Sequence, residues 1–148
     1  MSGRVTPEWR LRVALVAVGL ASLGVSLYLT VERARGHAPS CIIGGGCATV
    51  QASRYSELGG IPVAWLGVAA YVAIIAGAVW SGPWGALAGL FVTTVSVGLS
   101  GWLTYVELIR IDEVCAWCVM SALLTVSACT LAIARLRMVE QGIEGHAQ

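Results

Sequence analysis

Two cysteines three positions apart are the residues of this chain best suited to chemistry. Cys115-Ala-Trp-Cys118 is a CxxC motif where an apolar, helix-forming segment begins. At that spacing both sulfurs lie on one face of a helix, a turn apart and within reach of a disulfide. The positive end of the helix dipole favours a thiolate there, although the nearby Glu113 opposes it. The motif therefore indicates a candidate redox dithiol.

A second pair of cysteines flanks a run of glycines, in Cys41-Ile-Ile-Gly-Gly-Gly-Cys47. Three consecutive glycines give this loop the freedom to bring its two sulfurs together. Disulfide exchange requires one sulfur to approach another along a defined line. A mobile dithiol loop near a dithiol at a helix end suits a relay, in which the loop pair exchanges electrons with a soluble protein and then with the second pair.

Two other interpretations of the four cysteines stay open. Both pairs could be structural disulfides, although a short loop and a CxxC each constrain the unfolded chain little. Four thiolates could instead bind zinc, but the spacing matches no common zinc motif, and the nearby His37 is expected to be a solvated loop residue. The fifth cysteine, Cys129, falls deep in an apolar segment and is expected to pack as a small apolar residue.

The composition identifies the elements that must position these sulfurs. The chain of 148 residues is 57% hydrophobic and 11% charged, with a mean hydropathy of +0.81. That balance predicts an all-α membrane protein, with one integral membrane domain over 1–148. Stretches of roughly 20 apolar residues can cross a bilayer as helices. The predicted spans are about 11–31, 62–80, 84–109 and 114–136. The sequence contains no basic patch with interleaved aromatic residues of the kind that binds nucleic acid.

Prolines mark the starts of two predicted spans, and small residues within the spans permit close packing. Pro62 and Pro83 stand where a first helical residue tolerates a missing N–H. The short turn at 81–83 predicts a tight helical hairpin. Gly85 and Gly89 form a GxxxG pattern that permits close helix packing in lipid, although they could equally be unremarkable small residues.

Four spans place both termini on one side of the membrane. Two spans separate the cysteine pairs, so both pairs face the same side whatever the orientation. Arginines flank the terminal side and predict that it is cytoplasmic: Arg4, Arg10, Arg12, Arg135 and Arg137. We therefore expect a cell inner (cytoplasmic) membrane protein with its cysteines outside, where disulfides persist.

Together these features resemble the vitamin K epoxide reductase family, in particular its short bacterial members. The resemblance runs from Cys41 to about Ser121 and includes the four-helix bundle, the cysteine-bearing outer loop and a short interfacial helix at about 49–58. Its further marks are Ser53 after the loop pair and the Gly60-Ile61-Pro62 entry, with Gly67 and Tyr71 beyond.

The resemblance implies an activity and a set of roles. Such proteins oxidise a thioredoxin-like partner and pass the electrons to a quinone, here menaquinone or ubiquinone, without a metal. Cys118 would face the quinone and Cys115 would be its exchange partner, with Cys41 and Cys47 as the shuttle pair. The residues that would help form the quinone pocket are Ser53, Leu66, Tyr71 and Leu103.

The chain also departs from the family pattern. Val63 and Ala122 stand where animal members carry polar contacts to the quinone. The resemblance also implies that the partner is a separate thioredoxin-like or DsbA-like protein outside the cytoplasm. The rival expectations are a membrane scaffold whose cysteines are structural, and a zinc-binding membrane module.

Overall fold

The computed structural model describes residues 7–146 and folds them into an almost entirely helical protein. The elements in chain order are α1 (Pro7–Ala34), α2 (Cys47–Ala52), a 3₁₀ turn (Arg54–Ser56), β1 (Glu57–Leu58), β2 (Ile61–Pro62), α3 (Val63–Val79), α4 (Pro83–Val106), a π turn (Glu107–Ile111) and α5 (Ala116–His146). Arg4, counted above as a flanking charge, lies outside the described residues.

The four long helices form a bundle. α1 packs between α3 and α5, and α4 packs against the same two helices. The start of α1, the end of α3 and the distal part of α5 meet at one end of the bundle, where Leu15, Ala78, Ala128 and Ala132 form a buried cluster. The cysteine pairs lie at the other end. The expectation that both pairs share one side is therefore confirmed.

Three of the helices are long and apolar enough to cross a membrane: α1, α4 with the π turn that extends it, and α5. Their outward faces carry large apolar side chains, as a surface in lipid does: Leu20 is 55% exposed, Phe91 69% and Leu123 65%. These features describe a multi-pass membrane protein. α3 has 17 residues, about 25 Å of helix, which is shorter than a bilayer core of about 30 Å.

Two arginines bind the carbonyl groups at the end of α3 that have no partner within the helix. The last four carbonyls of a helix have no partner within it. Arg135, only 1% exposed, donates to the carbonyls of Gly77 at 2.7 Å and Trp80 at 2.6 Å. Arg12 donates to the carbonyls of Ala78, at 2.8 Å, and Val79. These two residues, predicted only as flanking charges, thus also bind α3 to its neighbours.

Glycines allow α3 and α4 to pack closely. A Cβ added at Gly77 would lie 3.2 Å from the backbone N of Gly89 and 3.3 Å from the carbonyl O of Gly85. The prediction that Gly85 and Gly89 form a close-packing surface is confirmed, with Gly77 as their counterpart on α3. The tight turn between these helices is also confirmed, since α3 ends at Val79 and α4 begins at Pro83.

The predicted interfacial helix at 49–58 is wrong in its bounds. α2 ends at Ala52, and Ser53 adopts an extended conformation before the 3₁₀ turn. The hydroxyl of Ser53 donates to the carbonyl of Val50 at 2.7 Å, which offers the backbone an alternative to continuing the helix. A two-residue hairpin then turns at Gly59 and Gly60, both with positive φ, as such turns require.

Candidate functional site

All four sulfurs predicted to act together meet at one end of the bundle. Cys41 and Cys47 form a disulfide, and Cys115 and Cys118 are free thiols. Cys47 and Cys115 are 1% and 0% exposed and share a buried cluster with Val50, against which Cys41 and Cys118 pack. The loop disulfide is therefore in the same packed cluster as the CxxC motif.

The residue before the loop pair is anchored to the CxxC motif itself. Trp117 donates from Nε1 to the carbonyl of Ser40 at 2.8 Å, and the backbone N of Ser40 donates to the hydroxyl of Tyr28 at 3.3 Å. The rings of Tyr28 and Trp117 pack with centroids 5.0 Å apart. These contacts hold the start of the loop in place. The glycines of the loop, taken alone, predict only that it is mobile.

Gly46 lies where the loop passes close to the segment before the CxxC. A Cβ at this residue would lie 2.7 Å from the carbonyl O of Val114, 2.8 Å from its N and 2.9 Å from Oε2 of Glu113. The first two are backbone atoms, so they cannot move aside as a flexible side chain can. A glycine here lets the disulfide pack against Cys115.

Arg33, in the last turn of α1, binds the segment that contains α2 and the 3₁₀ turn. Its guanidinium donates to the carbonyl of Gln51 at 3.2 Å and to Oγ of Ser56 at 3.0 Å, and it forms an ion pair with Glu57. α2 and the 3₁₀ turn are thus held above the bundle by a side chain from the last turn of α1.

Cys115 occupies the N-cap position of α5. The helix begins at Ala116, and the backbone N–H groups of Trp117 and Cys118 donate to the sulfur of Cys115, as at a capping residue. The Cys118 thiol makes the largest contribution by hydrogen bonding to Cys115. Against the opposing effect of burial, these bonds lower the pKa of Cys115 from an ordinary 9.0 to about 7. The start of the helix was expected to favour a thiolate in the CxxC motif, and in the structure Cys115 is the cysteine whose pKa is lowered.

The lowered pKa predicts when the reduced pair ionises. In a Cys41→Ser/Cys47→Ser variant, ultraviolet thiolate absorbance should show a first step centred near pH 7, with thiolate predominating above it and thiol below it. Adding Cys115→Ser should remove that step, because the acceptor of the stabilising hydrogen bonds is lost. A first ionisation near the ordinary 9.0 would contradict this assignment.

A buried carboxylate completes the site. Glu107 is 3% exposed and begins the π turn between α4 and α5. Its Oε2 accepts the backbone N–H of Cys115 at 3.3 Å, and its carboxylate lies within hydrogen-bonding reach of the Cys118 thiol. Sequence reasoning assigned this residue no role in the site. Its spacing of eight residues before Cys115 gave no local signal of contact.

A cavity opens between the helices beside Cys118. Its enclosed volume is about 120 Å³, so it is a narrow cleft between the helices. Leu66, Leu99 and Leu103 give it an apolar wall, and Cys118 and Glu107 reach it from the sulfur cluster. Cys115 is not among its lining residues, so Cys118 is the CxxC sulfur that a molecule in the cavity would meet.

The four residues predicted for a quinone pocket, Ser53, Leu66, Tyr71 and Leu103, all line this cavity. The hydroxyl of Tyr71 forms hydrogen bonds with Ser121 at 2.7 Å and Thr125 at 2.8 Å. Val63, one of the positions expected to depart from the family pattern, also lines the cavity.

The remaining candidates have no visible role in this site. His37 is exposed, and Cys129 is a half-buried thiol on α5. Within residues 7–146, no three His, Cys, Asp or Glu side chains are grouped so that they could hold a metal ion.

Comparison with models of protein families identifies a match. The model of the vitamin K epoxide reductase family matches residues 13–133, which is most of the chain. The match includes the four cysteines of the cluster, the cavity-lining residues and Glu107. A search of the curated proteins finds no match.

Proposed function

The chain belongs to the vitamin K epoxide reductase family, which indicates a membrane thiol oxidoreductase, and we propose that it is a quinone-dependent enzyme that forms disulfides in a partner. In this proposal it oxidises a separate thioredoxin-like or DsbA-like protein and reduces menaquinone or ubiquinone. Cys41, Cys47, Cys115 and Cys118 are the catalytic residues.

The observation that carries this proposal is the continuity of the sulfur cluster with the cavity. Cys47 and Cys115 are buried side by side in one cluster, and Cys118 reaches a mainly apolar cavity that opens between the helices. A structural disulfide would need neither the adjoining free thiols nor the cavity. The isoprenoid tail and ring of a quinone suit walls of leucine with few polar groups.

The difference in exposure within the loop pair sets the direction of the relay. Cys41 is half-buried and Cys47 is 1% exposed, so a partner thiolate reaches only Cys41. Ile42 and Ile43, 64% and 78% exposed, offer the partner an apolar surface beside it. Attack on Cys41 forms a mixed disulfide and releases Cys47 as a thiolate facing Cys115.

The following exchanges reduce the CxxC motif. Cys47 attacks Cys115, which breaks the Cys115–Cys118 disulfide and frees Cys118. The second thiol of the partner displaces Cys41, so the partner leaves oxidised. Cys41 then attacks Cys47, restoring the loop disulfide and releasing Cys115. The result is the redox state of this structure, with the loop pair oxidised and the CxxC pair reduced. Its two electrons then pass to the quinone.

We further propose one integral membrane domain with four spans, in the inner (cytoplasmic) membrane, with α3 as the short fourth span. Arg12 and Arg135 support this because they bind the carbonyls at the end of α3, which would otherwise be unsatisfied in lipid. Aromatic side chains are exposed near both ends of the bundle, as at membrane interfaces: Trp9, Trp80, Trp84, Trp65 and Trp102. The arginines near the termini favour a cytoplasmic location for that end, and the cysteines then face outside.

The direct test is anaerobic quinone reduction by the purified protein in lipid nanodiscs. With a dithiol donor and a menaquinone or ubiquinone analogue, we expect loss of the quinone absorbance in proportion to donor oxidised, one quinone per dithiol. Protein whose thiols have been alkylated after reduction is the control and should be inactive. Protein that reduces neither quinone while its disulfides cycle normally would overturn the proposal.

Replacing Cys41 with alanine should separate the two stages of the relay. Cys47 remains beside Cys115, so a Cys47–Cys115 disulfide should accumulate, visible by mass spectrometry after acid quenching and alkylation. Turnover with a protein donor should be lost because its point of attack is gone, while a small dithiol should still support quinone reduction. Equal loss with both donors, or a Cys41–Cys115 disulfide in Cys47→Ala at similar yield, would contradict this order.

A further inference from the structure

Glu107 is a buried ionisable group for which the relay of sulfurs has no use. It is 3% exposed at the junction of α4 and the π turn, close to both free thiols and on the wall of the cavity. Among the described residues the ion pairs are Arg33–Glu57 and Arg135–Glu8, so no arginine neutralises Glu107. A carboxyl group in such a place is expensive to bury, and its burial points to a function.

Accepting the backbone N–H of Cys115 does not require a carboxylic acid. A glutamine has the same shape and offers a carbonyl oxygen to that N–H, without the cost of burying an ionisable group. What only the acid provides is the ability to take up and release a proton. The group beside it that must lose a proton is the Cys118 thiol, because the thiolate, and not the thiol, is the nucleophile.

The Cys118 proton has two acceptors within reach. One is the sulfur of Cys115 and the other is the carboxylate of Glu107. While Cys115 is the thiolate, Cys118 keeps the proton and the sulfur facing the cavity is the less reactive one. Transfer of that proton to Glu107 makes Cys118 the nucleophile on the side where the quinone would lie.

We propose that Glu107 is a catalytic residue that accepts the proton of Cys118 and delivers it to a quinone oxygen. This step rests on the proposed function. The reduced pair loses two electrons and two protons as the Cys115–Cys118 bond forms, and the quinone gains two of each. One proton travels from Cys118 through Glu107. Cys115 releases the other to water, and the second quinone oxygen takes an equivalent proton from water at the cavity mouth.

The groups around Glu107 define which ionisations a pH profile would contain. α5 and its N-cap present the thiols of Cys118 and Cys115, the 3₁₀ turn contributes the phenol of Tyr55 to the shared cavity, and α3 contributes that of Tyr71. The loop pair is a disulfide and does not titrate. The quinone step of the wild type should therefore depend on the ionisation of Glu107 and of the thiol pair.

The test is Glu107→Gln in single-turnover quinone reduction. The CxxC pair is first reduced, excess donor is removed, and menaquinone or ubiquinone analogue is added under stopped flow. We expect the rate of quinone reduction to fall about 10²–10⁴-fold, the usual contribution of a positioned acid–base group. The pH profile should lose one ionisation. Exchange between Cys47 and Cys115 should proceed as in the wild type, because Gln keeps the bond to the Cys115 N–H.

Two further variants separate proton transfer from packing. Asp112→Asn is the matched acid-to-amide control: Asp112 is exposed, and its positive φ of 55° is one that Asn also accepts. It should reduce quinone at the wild-type rate. Glu107→Asp keeps an acid with a shorter reach, so it should recover part of the rate and restore the missing ionisation.

Redox-difference infrared spectroscopy gives a readout independent of turnover. The wild type should show a carboxyl band that changes when the CxxC pair is reduced, shifts in D₂O and disappears in Glu107→Gln. Wild-type rate and pH profile in Glu107→Gln, or a carboxyl band insensitive to the redox state, would overturn the proton-transfer proposal alone. Absence of quinone reduction in the wild type would instead overturn the proposed function. If Glu107→Gln does not fold, the Glu107→Asp profile and the wild-type band decide.

Discussion

Replacing Cys118 with alanine is expected to abolish quinone reduction with every donor. Cys118 is the CxxC sulfur that reaches the cavity, whereas Cys115 is 0% exposed and does not line it. Without Cys118 the CxxC pair can neither reach the quinone nor close a disulfide. Thiol exchange between Cys47 and Cys115 does not need Cys118 as an attacking group, so a Cys47–Cys115 disulfide should still form on oxidation. Turnover is measured by quinone absorbance with a small dithiol and with a reduced thioredoxin-like protein.

The control for this variant is Cys129→Ala. Cys129 is a thiol of the same helix, 11 residues further along by numbering, outside the sulfur cluster and the cavity lining. Its loss should leave quinone reduction unchanged, since exchanging a half-buried thiol for a methyl group alters packing only slightly. Wild-type turnover in Cys118→Ala would eliminate the proposed chemistry, whatever the behaviour of the loop pair.

Replacing Gly46 with alanine should disconnect the loop disulfide from Cys115. The backbone of Gly46 is ordinary for alanine, with φ −75° and ψ −8°, so the effect is steric. The added Cβ would lie 2.7 Å from the carbonyl O of Val114, and the loop must move to relieve this contact. A displacement of about 1 Å between reacting groups can cost about 10²-fold in rate. We expect protein-driven turnover to fall by about that factor.

The same variant should behave differently with a small donor. A displaced loop uncovers Cys115, so a small dithiol should reduce the CxxC pair directly, and turnover with it should be maintained or rise. Gly45→Ala is the matched control, because a Cβ at Gly45 meets nothing within 4 Å. Equal protein-driven rates in the two variants would show that contact between the loop and the Val114 segment does not govern the exchange.

The sequence was sufficient for features that depend on neighbouring residues or on the number of helices between two segments. Apolar runs gave the long helices because the length of such a run decides whether a helix can cross the bilayer. The CxxC spacing predicted two sulfurs on one face because three residues make almost one turn. The location of both cysteine pairs at one end followed from the two helices between them, without knowledge of packing.

Local sequence patterns also indicate two short features that the predicted helix at 49–58 does not include. The Gly59-Gly60 pair between short extended segments is typical of a two-residue hairpin. Ser53 is a residue type that competes with helix hydrogen bonds, and it ends α2 where a continuous helix at 49–58 was predicted. Both errors concern short elements, whose stability depends on contacts such as those of Arg33 more than on periodicity.

Only the tertiary structure decided which polar residues are buried and what they contact. Glu107 and Arg135 look in sequence like acids and bases at helix ends, yet they are 3% and 1% exposed. Arg135 is buried because α3 ends beside α5 and leaves its last carbonyls for this side chain to bind. Glu107 is buried because the π turn directs it toward Cys115 and Cys118. Contacts between helices that are distant in the chain determine both positions, and no spacing within one segment encodes them.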